Sequence, residues 1–361
     1  MSTINIAFDI SPLKDGNSVR GVGYYTQMLS QALKQVAPKK SDFKNYQFDL
    51  ITDKNQLTQK KYDLIHYPYF NPFQITLPGN TDIPLIVTIH DLIPVEHRPH
   101  FPPGFKGSLN WILQKRNLKY VDFIITPSHY SKFIIHQHTK YPLDHIYVTY
   151  EAADSSFKPI SDKLLLSKIK NKYNLPDKFV LFVGDLNWNK NIPNLVKSCL
   201  DLNYPLVIVG SAATKKDVPF HPETKDIIWL QNTVKGLKDP NSVILTGYVP
   251  DKDLPVIFNL ATIYCQPSFS EGFGLPVIQA MQSGTPVAIS NSSCLPEIAD
   301  DNAISFDPTS VKDISSVLQQ LWTKPKLRQK YSKLGLKRSK FFDWQFTALQ
   351  TLSVYQIALS I

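Results

Sequence analysis

The sequence predicts an α/β protein made of two doubly wound parallel sheets with helices on both faces. Three observations carry this. Short apolar runs of strand length alternate with stretches of helical periodicity along most of the 361 residues. The alternation pauses at a lysine-rich, proline-containing segment, residues 157–178, and then begins again. The strand-like runs carry polar residues at their C-terminal ends, at Asp91, Ser128, Asp185, Ser211, Ser268 and Asn291. In open parallel sheets that end is the one that binds ligands.

Taken in order, INIAFDI (Ile4–Ile10) reads as the first strand. GVGYYTQMLSQALKQV follows, with Tyr25, Leu29, Ala32, Leu33 and Val36 on one helical stripe. Gly21 and Gly23 are expected in the turn that precedes that helix. DLIHYP, PLIVTIHD and DFIITPS read as further strands. Between the last two, residues 101–120 read as a basic amphipathic helix. It sets Trp111, Ile112 and Leu113 beside Lys106, Lys115, Arg116 and Lys119. Such a helix can lie on an anionic membrane surface, and an ordinary half-buried domain helix is the plainer alternative. Residues 157–178 read as a linker and an approach helix. From about Lys178, FVLFVGD, PLVIVGS, VILTGYV, IYCQPS and TPVAISN read as strands of a second sheet. Two such sheets with their ligand edges facing would clamp a ligand in a cleft.

Composition narrows the partners. A hydrophobic fraction of 43% allows a substantial core, and a formal charge of +9 favours anionic ligands. No zinc-finger spacing or dense arginine stripe supports nucleic-acid binding. Cys199, Cys265 and Cys294 are widely spaced and odd in number, which fits a reducing compartment. The start, MSTINIAFDISPL, has no positive flank before its apolar run and does not read as a signal peptide. No window approaches the roughly 20 apolar residues of a membrane span. The expected location is the cytoplasm, with peripheral contact at the inner face of the membrane.

The stretch SEGFGLPVIQAMQSGTPV, from Ser270 to Val287, carries the most chemistry. Pro276 suits the first turn of a helix and Gly284 suits the residue just past its end. Helix-start N–H groups would then lie beside Gly272, Phe273, Gly274 and Leu275, where backbone donors and a positive dipole end favour an anion. Glu271 would repel a phosphate, but it can accept hydrogen bonds from sugar hydroxyls. Together they describe a site for a sugar phosphate; a tight turn with a solvated glutamate is the plain alternative. In VGDLNWNKNIPNL, Gly184 and Asp185 end a strand, Pro193 opens a helix, and Lys190 in the loop can neutralise phosphate as a point charge. A solvated loop lysine is the commoner outcome for a lone lysine.

The remaining motifs are weaker. GVGYY, preceded by Arg20, lacks the third glycine of the dinucleotide fingerprint, so NAD binding is not favoured. His90 and Asp91 end a strand; Asp91 could orient the ring, or His90 could meet a sugar hydroxyl. Asp251-Lys252-Asp253 matches a metal-binding D-x-D pattern, but its place before a helix favours capping. His97, His100, His136 and His138 have no partners at ligand spacing, and no metal site is expected.

Taken together, these segments resemble the retaining glycosyltransferases of family 4, of the GT-B fold. The resemblance rests on PSFSEGFGLPVIQAMQSGTPVAISNSSCLPEIADDNAISFDP, on GVGYYTQML, VTIHDLIP, ITPSHYSKFII and LFVGDLNWNKNIPNL, and on VILTGYVPDKDLPVIFNLATIYCQPS. It implies two Rossmann-like domains facing across a cleft: residues 1–157 for the acceptor and 158–340 for the nucleotide sugar. Residues 341–361, with FDWQFTALQTLSVYQIAL, would form a closing helix that crosses back to the N-terminal domain. The resemblance also implies roles. Glu271 would bind donor-sugar hydroxyls, and Phe273–Leu275 amides the sugar and diphosphate. Lys190 would pair with the diphosphate, Gly23 would let the first loop reach the phosphates, and His90 would contact the donor sugar near the reacting centre. Glu271, His90 and Lys190 are thus the catalytic candidates. Gly21, Gly23, Asp185, Asn189, Gly272, Phe273, Gly274, Leu275 and Gln279 are the substrate-binding ones.

The implied reaction moves a hexose such as mannose or glucose from a nucleoside-diphosphate sugar to a glycan, lipid-linked or small-molecule hydroxyl, with retention and without metal or cofactor. Two positions depart from the family pattern. Gln279 stands where a second glutamate usually binds the ribose, and Asn189 where many members carry arginine. These departures motivate an alternative, a degenerate sugar-nucleotide-binding protein without catalysis; a GT-B sugar-nucleotide epimerase is the other.

Overall fold

The computed structural model describes residues 2–14, 21–58 and 60–360. The chain divides into two compact units, Met1–Ala152 with Phe342–Ile361, and Ala153–Phe341.

The first unit holds a six-stranded sheet: β1 (Ile4–Asp9), β2 (Tyr46–Ile51), β3 (Leu64–Tyr67), β4 (Leu85–Thr88), β5 (Phe123–Thr126) and β6 (Ile146–Val148). Its order is β2-β1-β3-β4-β5-β6, and every pair is parallel. β3, β4 and β5 are buried along their whole length, as strands covered by helices on both faces must be. The chain winds outward from β1 to β2, then returns to the other side of β1 with β3. The β1/β3 boundary is therefore the topological switch point. The C-terminal helix Trp344–Ala358 belongs to this unit and packs on the helix Gly21–Val36. Tyr24 and Tyr25 meet the Trp344 ring edgewise or tilted. The Tyr355 hydroxyl lies 2.6 Å from His66 Nδ1.

The second unit repeats the plan with β7 (Val180–Val183), β8 (Leu206–Val209), β9 (Val243–Gly247), β10 (Ile263–Gln266), β11 (Val287–Ser290) and β12 (Ile304–Phe306). The order is β12-β11-β10-β7-β8-β9, again all parallel, with the switch point between β7 and β10. Val180, Phe182, Leu195, Leu206, Ile208, Ile263 and Leu318 are fully buried in its core.

Three expectations need correction. Gly21 and Gly23 do not precede the first helix; they form its first turn, and Arg20 lies outside the described residues. Asp253 sits at the start of the helix Leu254–Leu260 but does not cap it through its side chain. Its carboxylate instead takes Lys172 Nζ at 2.5 Å and the Tyr173 hydroxyl at 2.8 Å, a stronger charge-assisted arrangement than an amide cap. Trp111 does not project with Ile112 and Leu113. It is buried in the core of the first unit, on the opposite side of its helix.

Candidate active site

In the second unit the two loops that leave the switch-point strands are bound to each other. The loop after β7 carries Gly184, Asp185, Asn189 and Lys190; the loop after β10 carries Ser268, Ser270 and Glu271. Asn189 Nδ2 donates to the Ser270 carbonyl at 2.9 Å, and the Phe269 amide donates to the Asn189 carbonyl at 2.8 Å. Trp188 stacks on Phe269 with ring centroids 5.0 Å apart. Asn191, in the left-handed conformation, donates to the carbonyls of Pro267 and Pro308. The loops are a built scaffold, and the side chains on it are held in place.

Lys190 and Glu271 meet on this scaffold. Lys190 Nζ lies 2.7 Å from both carboxylate oxygens of Glu271. Glu271 Oε1 also accepts from Gln266 Nε2 at 2.8 Å and from Ser268 Oγ at 2.7 Å. Gln266 Oε1 in turn accepts from the Tyr264 hydroxyl. Burial, with the Glu271 charge nearby, pushes the Tyr264 phenol well above its ordinary pKa, so it stays a donor. The Glu271 backbone is fixed too: its amide donates to Ser293 Oγ at 3.0 Å and its carbonyl accepts from Cys294 Sγ. This carboxylate, only 6% exposed, thus receives four contacts, two from the Lys190 ammonium and one each from Gln266 and Ser268. Neither a solvated glutamate nor a solvated lysine describes the pair.

The helix Leu275–Gln282 starts directly behind it. Gly274 ends the loop at φ +90°, and a Cβ there would stand 2.7 Å from Leu295 Cδ2. The left-handed φ favours glycine, and a Cβ would in addition push on the Leu295 side chain. Pro276 lies in the first turn, and Gly284 closes the far end at φ +79°. There the Gly284 amide bonds the Met281 carbonyl and the Thr285 amide bonds the Ala280 carbonyl, a Schellman motif. Gln279 is buried one turn into this helix, and its side-chain amide makes no hydrogen bond to another described residue. Asp185 is half-buried in the same loop as Lys190.

In the first unit His90 follows β4 and is held from two sides. Its Nδ1 lies 3.1 Å from Glu151 Oε1, and its Nε2 3.1 Å from the Pro68 carbonyl. Tyr25 meets the ring edge-on at 4.7 Å. Asp91 does not orient the ring: its carboxylate accepts the Ile93 amide at 3.0 Å and closes the local turn. Gly23 is buried and Gly21 exposed, with open space around the latter.

Sequence reading missed Gln266, Tyr264 and Glu151. Gln266 and Tyr264 read as part of an apolar strand, and Glu151 lies 61 residues from its partner. Among the described residues no three His, Cys, Asp or Glu side chains come together as a metal-ligand set.

Known proteins can be set beside this geometry. Residues 167–338 match the family described as Glycosyl transferases group 1, and residues 31–157 match Glycosyltransferase Family 4. The chain is 30% identical over 279 residues to O-antigen chain mannosyltransferase B of Escherichia coli, covering 75% of this chain and 70% of that one. It is 27% identical over 287 residues to the serotype-specific mannosyltransferase WbdA of Escherichia coli, of which it spans 34%. Among solved structures, Anabaena Alr3699/HepE in complex with UDP and glucose superposes with a TM-score of 0.74 over 98% of this chain and 99% of that one, at 16% identity. That likeness concerns the fold, two Rossmann-like domains of the GT-B type.

Proposed function

The chain belongs to the glycosyltransferases of group 1, and from that premise we propose that it transfers a hexosyl group, mannosyl first, from a nucleoside-diphosphate sugar to a hydroxyl of a glycan, lipid-linked or small-molecule acceptor. The observation that carries this reading is the Lys190–Glu271 pair at the β7/β10 switch point, beside the helix start at Gly274. Lys190 would turn from Glu271 to the diphosphate, and sugar hydroxyls would replace it on the carboxylate. Amides of Phe273–Leu275 would meet the anion with the helix dipole. Gln279 would bind the ribose diol through a carbonyl acceptor and two N–H donors. Mannose is placed first because O-antigen chain mannosyltransferase B is the 30% identical relative.

In the proposed reaction the bond from the anomeric carbon to the diphosphate breaks, and the acceptor oxygen bonds to the same face. Because entry and departure share one face, configuration is retained; a phosphate oxygen of the donor takes the acceptor proton. Charge on the leaving group is met by Lys190 and helix-start N–H groups, so the reaction should proceed without a divalent metal. Incubation with GDP-mannose and a mannoside acceptor in EDTA tests this. The expected product is an α-linked sugar by NMR, at an undiminished rate. An inverted product, or activity recovered only with manganese, contradicts it. The binding-only alternative draws on Asn189, whose amide is committed to the Ser270 carbonyl and supplies no charge; specific turnover excludes it.

Peripheral contact with an anionic membrane is part of the same proposal. On the helix Gly104–Asn117, Phe105 is 90% exposed, Ile112 63% and Leu109 48%. At spacings of four and three they share one face, opposite the buried Gly107, Trp111 and Gln114. Lys106, Lys115, Arg116 and Lys119 rim it, all exposed. An apolar face with a basic border suits the headgroup region. Sedimentation with vesicles containing phosphatidylglycerol should carry the protein down, and Phe105→Ser with Ile112→Ser should leave it in solution. Equal sedimentation of both proteins removes this face from the proposal.

A further inference from the structure

We propose that Glu151 keeps His90 doubly protonated, so that His90 serves the reaction as a fixed cationic hydrogen-bond donor and not as a proton acceptor. The functional half rests on the reading of His90 as a donor-sugar contact. The structural half stands on the geometry of the first unit alone.

Both ring nitrogens face acceptors. Nδ1 is 3.1 Å from a Glu151 carboxylate oxygen and Nε2 is 3.1 Å from the Pro68 carbonyl. A carbonyl never donates, and an ionised carboxylate does not either. A neutral imidazole has one N–H and would set its bare nitrogen against a lone pair on the other side. Two arrangements avoid that clash. Either the ring carries both protons beside a carboxylate, or Glu151 is protonated and donates to a neutral ring.

The ordinary proton affinities favour the first, because histidine holds its proton to higher pH than glutamate. The surroundings agree. Burial alone pushes the imidazole down, but the Glu151 hydrogen bond and charge, the Pro68 carbonyl and Asp91 outweigh it, and the pKa is raised. The other titratable groups facing His90 are uncharged. Tyr25, from the helix Gly21–Val36, has its phenol pushed up by burial. His66, from β3, is driven down to about 3, first by burial and then by the charge of His90. It sits neutral between the Tyr355 and Thr88 hydroxyls. The helix His129–Thr139 contributes Ser131 Oγ, which donates to the His90 carbonyl. The side chains of His90 and Glu151 are 15% and 7% exposed, so the pair is shielded without being sealed.

Glu151 is thus a positioning residue. It fixes ring orientation and charge from the Nδ1 side, as a carboxylate behind a histidine does. The N–H on Nε2 is held by one neutral carbonyl, and it is the donor that a ligand oxygen can take over. A ring with no lone pair free cannot act as a base. Its charge instead sits at the C-terminal edge of the first unit's sheet, the end at which open parallel sheets bind ligands.

Nitrogen-15 NMR of histidine-labelled full-length protein tests this, with His90 assigned by the signal lost in His90→Asn. At pH 7 both His90 nitrogens should carry the shifts of imidazolium, and in Glu151→Gln the ring should be neutral with one N–H. A neutral wild-type ring with its proton on Nε2 overturns the inference, whatever the protein proves to catalyse. The pH profile of kcat/KM for a nucleotide sugar tests the functional half. Its alkaline limb should move down by about one pH unit or more in Glu151→Gln, and Glu151→Asp should restore it. A charged ring whose loss leaves that limb in place overturns the role in the reaction but leaves the donor reading standing.

Discussion

Glu271 is held by Lys190, Gln266 and Ser268 at 2.7–2.8 Å, and this decides how its variants should behave. Glu271→Gln keeps the shape and removes the charge. Transfer should fall by about two orders of magnitude or more, with a small change in melting temperature. Glu271→Ala should also unfold at lower temperature, because it takes the carboxylate away from Lys190, Gln266 and Ser268 together. Breaking a buried pair from one side costs about 3–5 kcal/mol. Calorimetry and donor-turnover assays on both variants check this. A Glu271→Gln protein with near-wild-type turnover contradicts the assignment. The sequence made Glu271 and Lys190 visible as loop residues at strand ends but kept their contact hidden, since they are 81 residues apart. Asn189 was legible as a departure from a pattern. Its structural task, tying one loop to the Ser270 carbonyl, was not, because nothing in the local sequence shows where a side-chain amide will find its acceptor.

Among the elements, those buried on both faces were the easiest to read. β3, β4, β5, β7, β8, β10 and β11 are buried at every position, and their sequences are unbroken apolar runs apart from single polar residues. The strands that escaped notice were β2, β6 and β12, and all three lie at sheet edges. Their sequences, YQFDLI, IYV and ISF, are short or mixed because one flank meets solvent. The first helix was legible over about three turns of stripe, from Tyr25 to Val36, with every named stripe residue buried. Its start was misplaced because two glycines read more naturally as a turn than as a helical first turn. The helix Leu275–Gln282 was legible at both ends, from Pro276 and Gly284. Its entry makes a prediction. Gly274→Ala meets both a left-handed φ and the Leu295 side chain. It should cost about 1–3 kcal/mol and raise KM for the donor by tilting the helix start. Unchanged KM and stability would mean that the loop does not depend on that backbone turn.

At the scale of the whole molecule, the α/β class and the repeated sheet were legible because parallel sheets covered by helices reduce to a simple alternation of apolar runs and stripes. The return of the C-terminal helix to the first unit was not readable from periodicity and came from the family resemblance. The structure supplies its physical cause: Trp344 against Tyr24 and Tyr25, and Tyr355 hydrogen-bonded to His66. The second unit then presents its two switch-point loops as one joined surface, with Lys190 and Glu271 at its centre. A nucleoside-diphosphate sugar is proposed to bind this surface. Thermal unfolding of the wild type and of Lys190→Ala, each with GDP-mannose, UDP-glucose and ADP-glucose in EDTA, tests it most directly. A ligand at 100 times its dissociation constant adds about 2.7 kcal/mol of stability. At least one of these sugars should stabilise the wild type by that order, and Lys190→Ala should abolish the gain. No shift with any of the three, or an equal shift in the variant, would contradict it.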